Sequence, residues 1–280
     1  MKIAVSGASG FIGRHVLADL TRRSVEVVAT CRIPGKLGKW NKFIRVVALD
    51  IAQPGPNVYG RLGRPNALIH LAWDGLPNYN SLHHFETELP RQYKFLKDLV
   101  NAGLPALLAT GTCFEYGMQS GPLSEKAATR PVNCYGHAKD ALRRQLQFLQ
   151  LTLPFKFTWA RLFYTYGEGQ PSNSLYPQFK SAVARRATSF DMSSGEQLRD
   201  YLPIGEVARL IVELAVRCTD AGPLNVCSGR PVAVRSLVEG WLAENAWSMV
   251  LNRGCYPYPD YEPMAFWGDR RRLDSLLEQS

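Results

Sequence analysis

The sequence predicts an α/β fold: a Rossmann-type doubly wound parallel sheet with a smaller C-terminal cap. Three observations predict it. Short, nearly continuous apolar strands alternate with amphipathic helices through the first 162 residues, the pattern of a parallel sheet covered on both faces. The first strand runs directly into the glycine turn Gly7-Ala8-Ser9-Gly10-Phe11-Ile12-Gly13, the strand–turn–helix context of a dinucleotide fingerprint. Further on, Tyr135-Gly136-His137-Ala138-Lys139 places a tyrosine and a lysine one turn apart on one helix face.

The elements follow in order. Residues 2–6 form the first strand, and 11–23 are helical, with Ile12, Val16, Leu17 and Leu20 on one side. Strands follow at 26–31, 45–49 and 67–72. Pro90 suits the first turn of a helix over 91–102. Residues 106–110 are the fifth strand, 133–152 a helix and 156–162 the sixth strand. The rhythm then breaks. A Gly- and Ser-rich loop at 167–174 precedes a helix at 175–186, an extended piece at 189–192, a helix at 207–218, a strand at 224–227 and a helix at 234–246. The tail at 256–263, rich in Pro and Tyr, is expected to wrap the surface.

Composition narrows the class. The chain has 280 residues, 46% hydrophobic and 20% charged, which suits one large soluble domain or one and a half. It holds no run of eighteen apolar residues, and its N-terminus enters a strand with no room for a signal-peptide core, so a cytoplasmic location is expected. The six cysteines show neither a CxxC pair nor metal-ligand spacing, and no metal is expected. The net charge of +9, from 33 basic and 24 acidic residues, suits anionic small ligands. The basic residues are scattered apart from Arg270-Arg271-Arg272, without the aromatic-interleaved stripe of a nucleic-acid binder.

The glycines permit a tight turn and close approach of backbone to a pyrophosphate facing a helix N-terminus. The end of the second strand reads Thr30-Cys31-Arg32, with Lys36 and Lys39 beyond and no carboxylate after Glu26. An arginine there accommodates a 2′-phosphate, so NADP (NADPH) is expected over NAD. Asp50, beside Ile51, is placed to accept from an adenine amino group or to close a turn. His70, inside an apolar strand, reads as a packed histidine, and His83 and His84 as loop residues without an evident partner. Thr112, with Thr110 competing, sits at the carboxyl end of a central strand and is placed to hold a carbonyl oxygen. Tyr135 is the expected proton donor, its phenol lowered by the Lys139 ammonium.

Taken together these motifs resemble the extended short-chain dehydrogenase/reductase family, in its nucleotide-sugar branch. The resemblance rests also on His70-Leu71-Ala72, on residues 112–117 and 161–167, on Arg199-Asp200-Tyr201-Leu202-Pro203 and on Asn225-Val226 with Ser228-Gly229. It implies cofactor contacts from Gly7, Ser9, Gly10, Phe11, Ile12, Gly13, Arg32, Asp50, Ile51, Leu71, Ala72, Tyr135 and Lys139. It implies catalysis by Thr112, Tyr135 and Lys139, and a substrate site at Thr112, Cys113, Phe114, Tyr164 and Arg199, with Arg199 on the nucleotide diphosphate. Where sugar dehydratases carry an Asp-Glu pair, this chain has Cys113 and Phe114, and Tyr164 stands where an asparagine is common.

The expected division is an NADP-binding Rossmann domain over 1–163, to which the chain returns around 198–227, and a substrate-binding cap from 164–197 and 228–280. The resemblance implies NADPH-dependent reduction of the 4-keto group of a nucleotide-linked 6-deoxyhexose, supplying deoxysugar for surface polysaccharide such as lipopolysaccharide. The alternative is a nucleotide-sugar 4-epimerase with recycled NAD. A catalytically silent NADP sensor is disfavoured by the intact Thr, Tyr and Lys. The nucleotide (dTDP, GDP or CDP), the stereochemistry and the oligomeric state, a homodimer included, stay open.

Overall fold

The computed structural model describes residues 1–40 and 42–278. Strand β1 (Lys2–Ser6) leads into helix α1 (Phe11–Leu20), β2 (Glu26–Cys31) and β3 (Arg45–Ala48). A short α2 (Val58–Arg61) precedes β4 (Ala67–His70), and a π-type turn at His84–Glu88 runs into α3 (Leu89–Asn101). Next come β5 (Ala106–Thr112), a 3-10 turn at Cys113–Tyr116, β6 (Gly121–Leu123), α4 (Cys134–Thr152) and β7 (Lys156–Leu162). The remainder is β8 (Tyr164–Tyr166), α5 (Leu175–Ala184), β9 (Ser189–Met192), β10 (Leu198–Pro203), α6 (Ile204–Val216), β11 (Gly222–Val226), β12 (Pro231–Ala233), α7 (Val234–Glu244), β13 (Val250–Arg253), β14 (Phe266–Gly268) and α8 (Arg271–Glu278).

The main sheet has seven strands in the order β11-β7-β5-β4-β1-β2-β3, and every pairing is parallel. Its inner strands are apolar on both faces because helices cover both. Val16, Leu17 and Leu20 of α1 pack with Val207, Leu210 and Ile211 of α6 on one side. Phe95, Leu96 and Leu99 of α3 pack with Leu142 and Leu146 of α4 on the other. Each fully buried side chain of this kind contributes about 1.5–3 kcal/mol relative to its exposed state. From β1 the chain winds one way through β2 and β3, and from β4 the other way. The crevice between the carboxyl ends of β1 and β4 is therefore the switch point at which such sheets bind ligands.

Three small sheets lie outside the main one: β12-β10-β8, β13-β9 and β14-β6. A separate apolar cluster of Phe179, Phe190, Met192, Val238 and Trp241 packs α5 and α7 against β9. Strand β10 pairs with β8 and β12, while its Leu202 joins the core of the main sheet ahead of α6. Strand β5 runs to Thr112, because Gly111 and Thr112 keep their pairing with Arg161 and Leu162. The basic run 270–272 lies at the start of α8, where Leu273 is buried and Arg272 donates to the carbonyls of Pro223 and Ala221. Among the described residues no helix is long and apolar enough to cross a membrane.

Candidate active site

A cleft of about 270 Å³ lies at the switch point, lined by Gly7, Ser9, Gly10, Cys31, Arg32, Asp50, Ile51, Leu71, Ala72, Trp73 and Asp74 among others. Its floor requires glycine. Gly7 has φ +72, and a Cβ there would lie 2.6 Å from the backbone nitrogen of Ala72, so any side chain would drive the two strand ends apart. A Cβ on Gly13 would meet Gly7 and Ala8, which keeps α1 tight against the turn. Helix α1 starts at Gly10 without a side-chain cap or an acidic residue in its first turn, leaving its amides open to an anion. This cradle fits a dinucleotide. Phe11 and Ile12 do not line the cleft. Their side chains pack against the core, and only the first-turn backbone is available from them.

At the adenosine end, Arg32 lines the cleft but faces Asp74, with Nη1 3.4 Å from Oδ2 and both side chains largely exposed. The missing carboxylate of the second strand is thus replaced, in space, by one that follows β4. Asp50 closes a turn by accepting from the Ala52 amide at 2.9 Å, and it borders the cleft as well. His70 hydrogen-bonds Ser6 Oγ through Nδ1 at 2.8 Å. Burial, with the charge of Lys139 beside it, pushes its imidazole down to about 3, so it is a neutral packing residue.

The expected acid/base pair lies at the start of α4. Asn133 caps this helix by accepting from the Gly136 amide at 2.8 Å. A Cβ on Gly136 would sit 2.8 Å from the Phe114 carbonyl. Glycine here lets the first turn of α4 approach the Cys113–Tyr116 turn, which carries Tyr135 up to Phe114. Thr112 ends β5, its Oγ1 accepting from the Phe114 amide while its own amide donates to Glu115 at 2.9 Å. Its hydroxyl hydrogen remains to donate to a ligand. Thr110, the competitor, turns its hydroxyl to the His70 carbonyl and gives its own carbonyl to Lys139.

Burial decides the electrostatics. Tyr135 is almost fully buried, and its phenol is pushed well above the ordinary range, first by desolvation and then by Tyr79 and Glu115. The expected lowering by Lys139 is not what this environment produces. Lys139 Nζ donates to Thr110 O at 2.9 Å and lies 5.8 Å from the Tyr135 ring centre, and desolvation pushes Lys139 itself down to about 7 despite Glu115 and Glu88. Tyr135 is accordingly held protonated, the form that gives a proton away.

Beneath the pair, Glu115 is fully buried and accepts from Arg161 Nε at 2.7 Å and Trp159 Nε1 at 2.8 Å. Its Thr112-x-x-Glu115 spacing is a capping box legible in the sequence. Cys113 and Phe114 stand in an aromatic wall beside Tyr79 and Tyr261. Burial pushes the Cys113 thiol far up, so it supplies no acid or base near neutrality. The Tyr164 ring packs at a tilt against Tyr201 and Phe266.

Arg199 departs from its expected part. Its side chain is buried, with Nη2 and Nε donating to Glu262 Oε2 at 2.9 and 3.2 Å and Nη1 to the carbonyls of Leu198 and Met264. Four of its five N–H groups are therefore engaged within the protein. The tail at 256–263 does not simply wrap the surface, since it delivers Glu262 to Arg199 and Tyr261 to Tyr79 and Phe114. His84 also differs from expectation. It is fully buried, accepts from Trp73 Nε1 at 3.1 Å and reaches the Asn78 carbonyl at 2.9 Å. Nothing in the local sequence marks Trp73, His84, Tyr79 or Glu262.

The family model described as NAD dependent epimerase/dehydratase matches residues 3–227. The chain is 28% identical over 270 residues to the dTDP-6-deoxy-L-talose 4-dehydrogenase (NAD(+)) of Aggregatibacter actinomycetemcomitans, covering 96% of this chain and 99% of that one. It is 25% identical over 261 residues to the dTDP-6-deoxy-L-talose 4-dehydrogenase (NAD(P)(+)) of Kitasatospora kifunensis, covering 87% and 79%. Its fold is that of the UDP-glucuronic acid 4-epimerase of Bacillus cereus, solved with UDP-glucuronic acid and NAD, with a TM-score of 0.82, 20% identity and coverage of 100% and 94%. The chain belongs to the NAD dependent epimerase/dehydratase family and is an NAD(P)-dependent enzyme.

Proposed function

We propose that this enzyme reduces the 4-keto group of a 6-deoxyhexose carried on a nucleoside diphosphate, in the cytoplasm, with residues 164–197 and the chain from 228 through β14 forming the substrate side. The observation that carries the reading is the protonated, buried Tyr135 set between Lys139 and the aromatic wall of Tyr79, Phe114 and Tyr261. That wall suits a sugar ending in a methyl group. The dehydrogenase of Aggregatibacter, matched over nearly its whole length, is named for the same carbon and a 6-deoxy sugar, and a 4-dehydrogenation run backwards is a 4-keto reduction.

Bound NAD(P)H supplies the hydride. The chain's own residues handle the oxygen. Tyr135 passes its proton to the keto oxygen, Thr112 donates a hydrogen bond to the same atom, and the Lys139 ammonium stabilises the phenolate left behind. Arg32 supports use of NADP through a 2′-phosphate contact, and Asp74 beside it limits the preference, so both dinucleotides serve.

The second reading, a 4-epimerase, is favoured by the family description and uses the same three residues without net redox. A panel of dTDP-, GDP- and CDP-linked 4-keto-6-deoxyhexoses with NADPH or NADH, run beside the matching 4-hydroxy sugars with NAD, separates the two. Stoichiometric loss of reduced cofactor with a 4-hydroxy product supports the reductase. Inversion at C4 of a 4-hydroxy sugar without cofactor turnover would replace it with the epimerase.

A further inference from the structure

Lys139 is buried without a carboxylate in direct contact, for among the described residues it makes no ion pair within 4.0 Å. Two groups lie close against the ammonium. The Thr110 carbonyl accepts at 2.9 Å, and the face of Trp73 lies 4.1 Å away, measured to the ring centre. The indole is itself fixed. Trp73 Nε1 donates to His84 Nδ1 at 3.1 Å, so the His84 ring proton is on Nε2, which donates to the Asn78 carbonyl at 2.9 Å. His84 is thus a neutral, single-tautomer imidazole, fully buried and stacked on Trp73. Both rings also touch Tyr135, at 6.0 Å from Trp73 and 5.4 Å from His84. Trp73 in addition lines the cofactor cleft.

We propose that Trp73, fixed by His84, is a positioning residue that holds the Lys139 ammonium and the Tyr135 phenol in their reacting arrangement. An aromatic face suits this task better than a carboxylate. It attracts the cation through the ring quadrupole without taking its hydrogens and without neutralising the charge that the forming phenolate needs. This inference rests on the reading of Tyr135 and Lys139 as the acid/base pair.

The groups around Lys139 that bear on its titration are Glu115 after β5, Glu88 and His84 on the π-type turn, His70 on β4, and Tyr135 and Arg143 on α4. Losing the indole removes attraction for the charged form, so Lys139 should titrate at lower pH and the alkaline fall in reductase rate should move down with it.

The test uses the full chain, assayed with NAD(P)H and the accepted 4-keto sugar, with the Lys139 side chain also titrated by ¹³C NMR of lysine-labelled protein. Trp73→Leu is expected to lower kcat about tenfold to a hundredfold, with KM for the sugar little changed and the Lys139 titration moved to lower pH. His84→Ala should act in the same direction. His84→Asn, which keeps an acceptor for the indole, should restore most of the rate. Trp73→Leu with kcat in step with wild type and an unmoved Lys139 titration would overturn the proposal, as would His84→Asn no better than His84→Ala. Tyr135→Phe in the same assay keeps the two failures apart. If it retains most of the rate, the acid/base reading itself is wrong, whatever Trp73 does.

Discussion

Arg199 and Glu262, sixty-three residues apart, form a buried ion pair with Nη2 2.9 Å from Oε2, and the ring of Phe266 covers the guanidinium at 4.7 Å. The pair pins the tail before β14 to the start of strand β10, so in this structure Arg199 is engaged within the wall. Arg199→Met is expected to destabilise the protein by about 3–5 kcal/mol, because it leaves Glu262 buried without a partner. Thermal melting checks this, and Glu262→Gln should cost less. A rise in KM for the nucleotide sugar with an unchanged Tm would instead return Arg199 to the diphosphate.

Gly136 is the contact point between α4 and the turn that carries Thr112. Gly136→Ala should force the helix off the Phe114 carbonyl, which lies 2.8 Å from the added Cβ. A loss of about 1–3 kcal/mol is expected, with kcat falling by more than stability alone explains, since Tyr135 moves with the helix. Melting and single-turnover rates on one sample separate the two effects.

In the proposed reading, Arg32 and Asp74 set the cofactor preference against each other. Arg32→Ala should weaken NADPH binding by about 1.5–3 kcal/mol, the worth of one charge-assisted contact, and leave NADH almost unaffected. Asp74→Asn should move the ratio of kcat/KM toward NADPH by freeing the guanidinium. Equal response of both cofactors to both variants would remove Arg32 from the 2′-phosphate.

Lys139 gives the stability a recognisable pH dependence. Its folded pKa is depressed from 10.5 to about 7, so between those values the unfolded chain binds the extra proton and stability rises with pH, by up to about 1.4 kcal/mol per unit. The buried tyrosines and cysteines, with raised folded values, oppose this above about pH 9, where unfolded thiols ionise. Denaturant unfolding from pH 7 to 9 should therefore show wild-type stability gaining on Lys139→Met. Parallel curves would place the Lys139 ammonium in a far better solvated site.

Much of this was legible in the chain. Apolar runs of four to seven residues mark the strands of a parallel sheet, and Gly7 and the Tyr135/Lys139 pair are tied to local spacings that keep their meaning in space. The Thr112-x-x-Glu115 capping box is carried by the sequence but enters only with the structure. The rest depends on where distant segments land. Trp73 and Asp74 follow β4 in a stretch with no periodicity, and their partners His84 and Arg32 are brought to them only by the folded crossings. Glu262 sits in a Pro- and Tyr-rich tail whose composition suggests exposure, while its side chain is 10% exposed. The direction of the Tyr135 shift was misjudged for a related reason, since spacing reveals a neighbouring charge but not the desolvation that outweighs it.

In the proposed reaction hydride reaches C4 of the sugar while Tyr135 protonates the oxygen. The most direct measurement is NMR of the product formed from a nucleotide-linked 4-keto-6-deoxyhexose with NAD(P)H deuterated at the transferring position. The account predicts one deuterium at C4 of a 4-hydroxy product, one reduced cofactor consumed per sugar, and no product from Tyr135→Phe. A product carrying no deuterium at C4, or one formed at the wild-type rate by Tyr135→Phe, would contradict it.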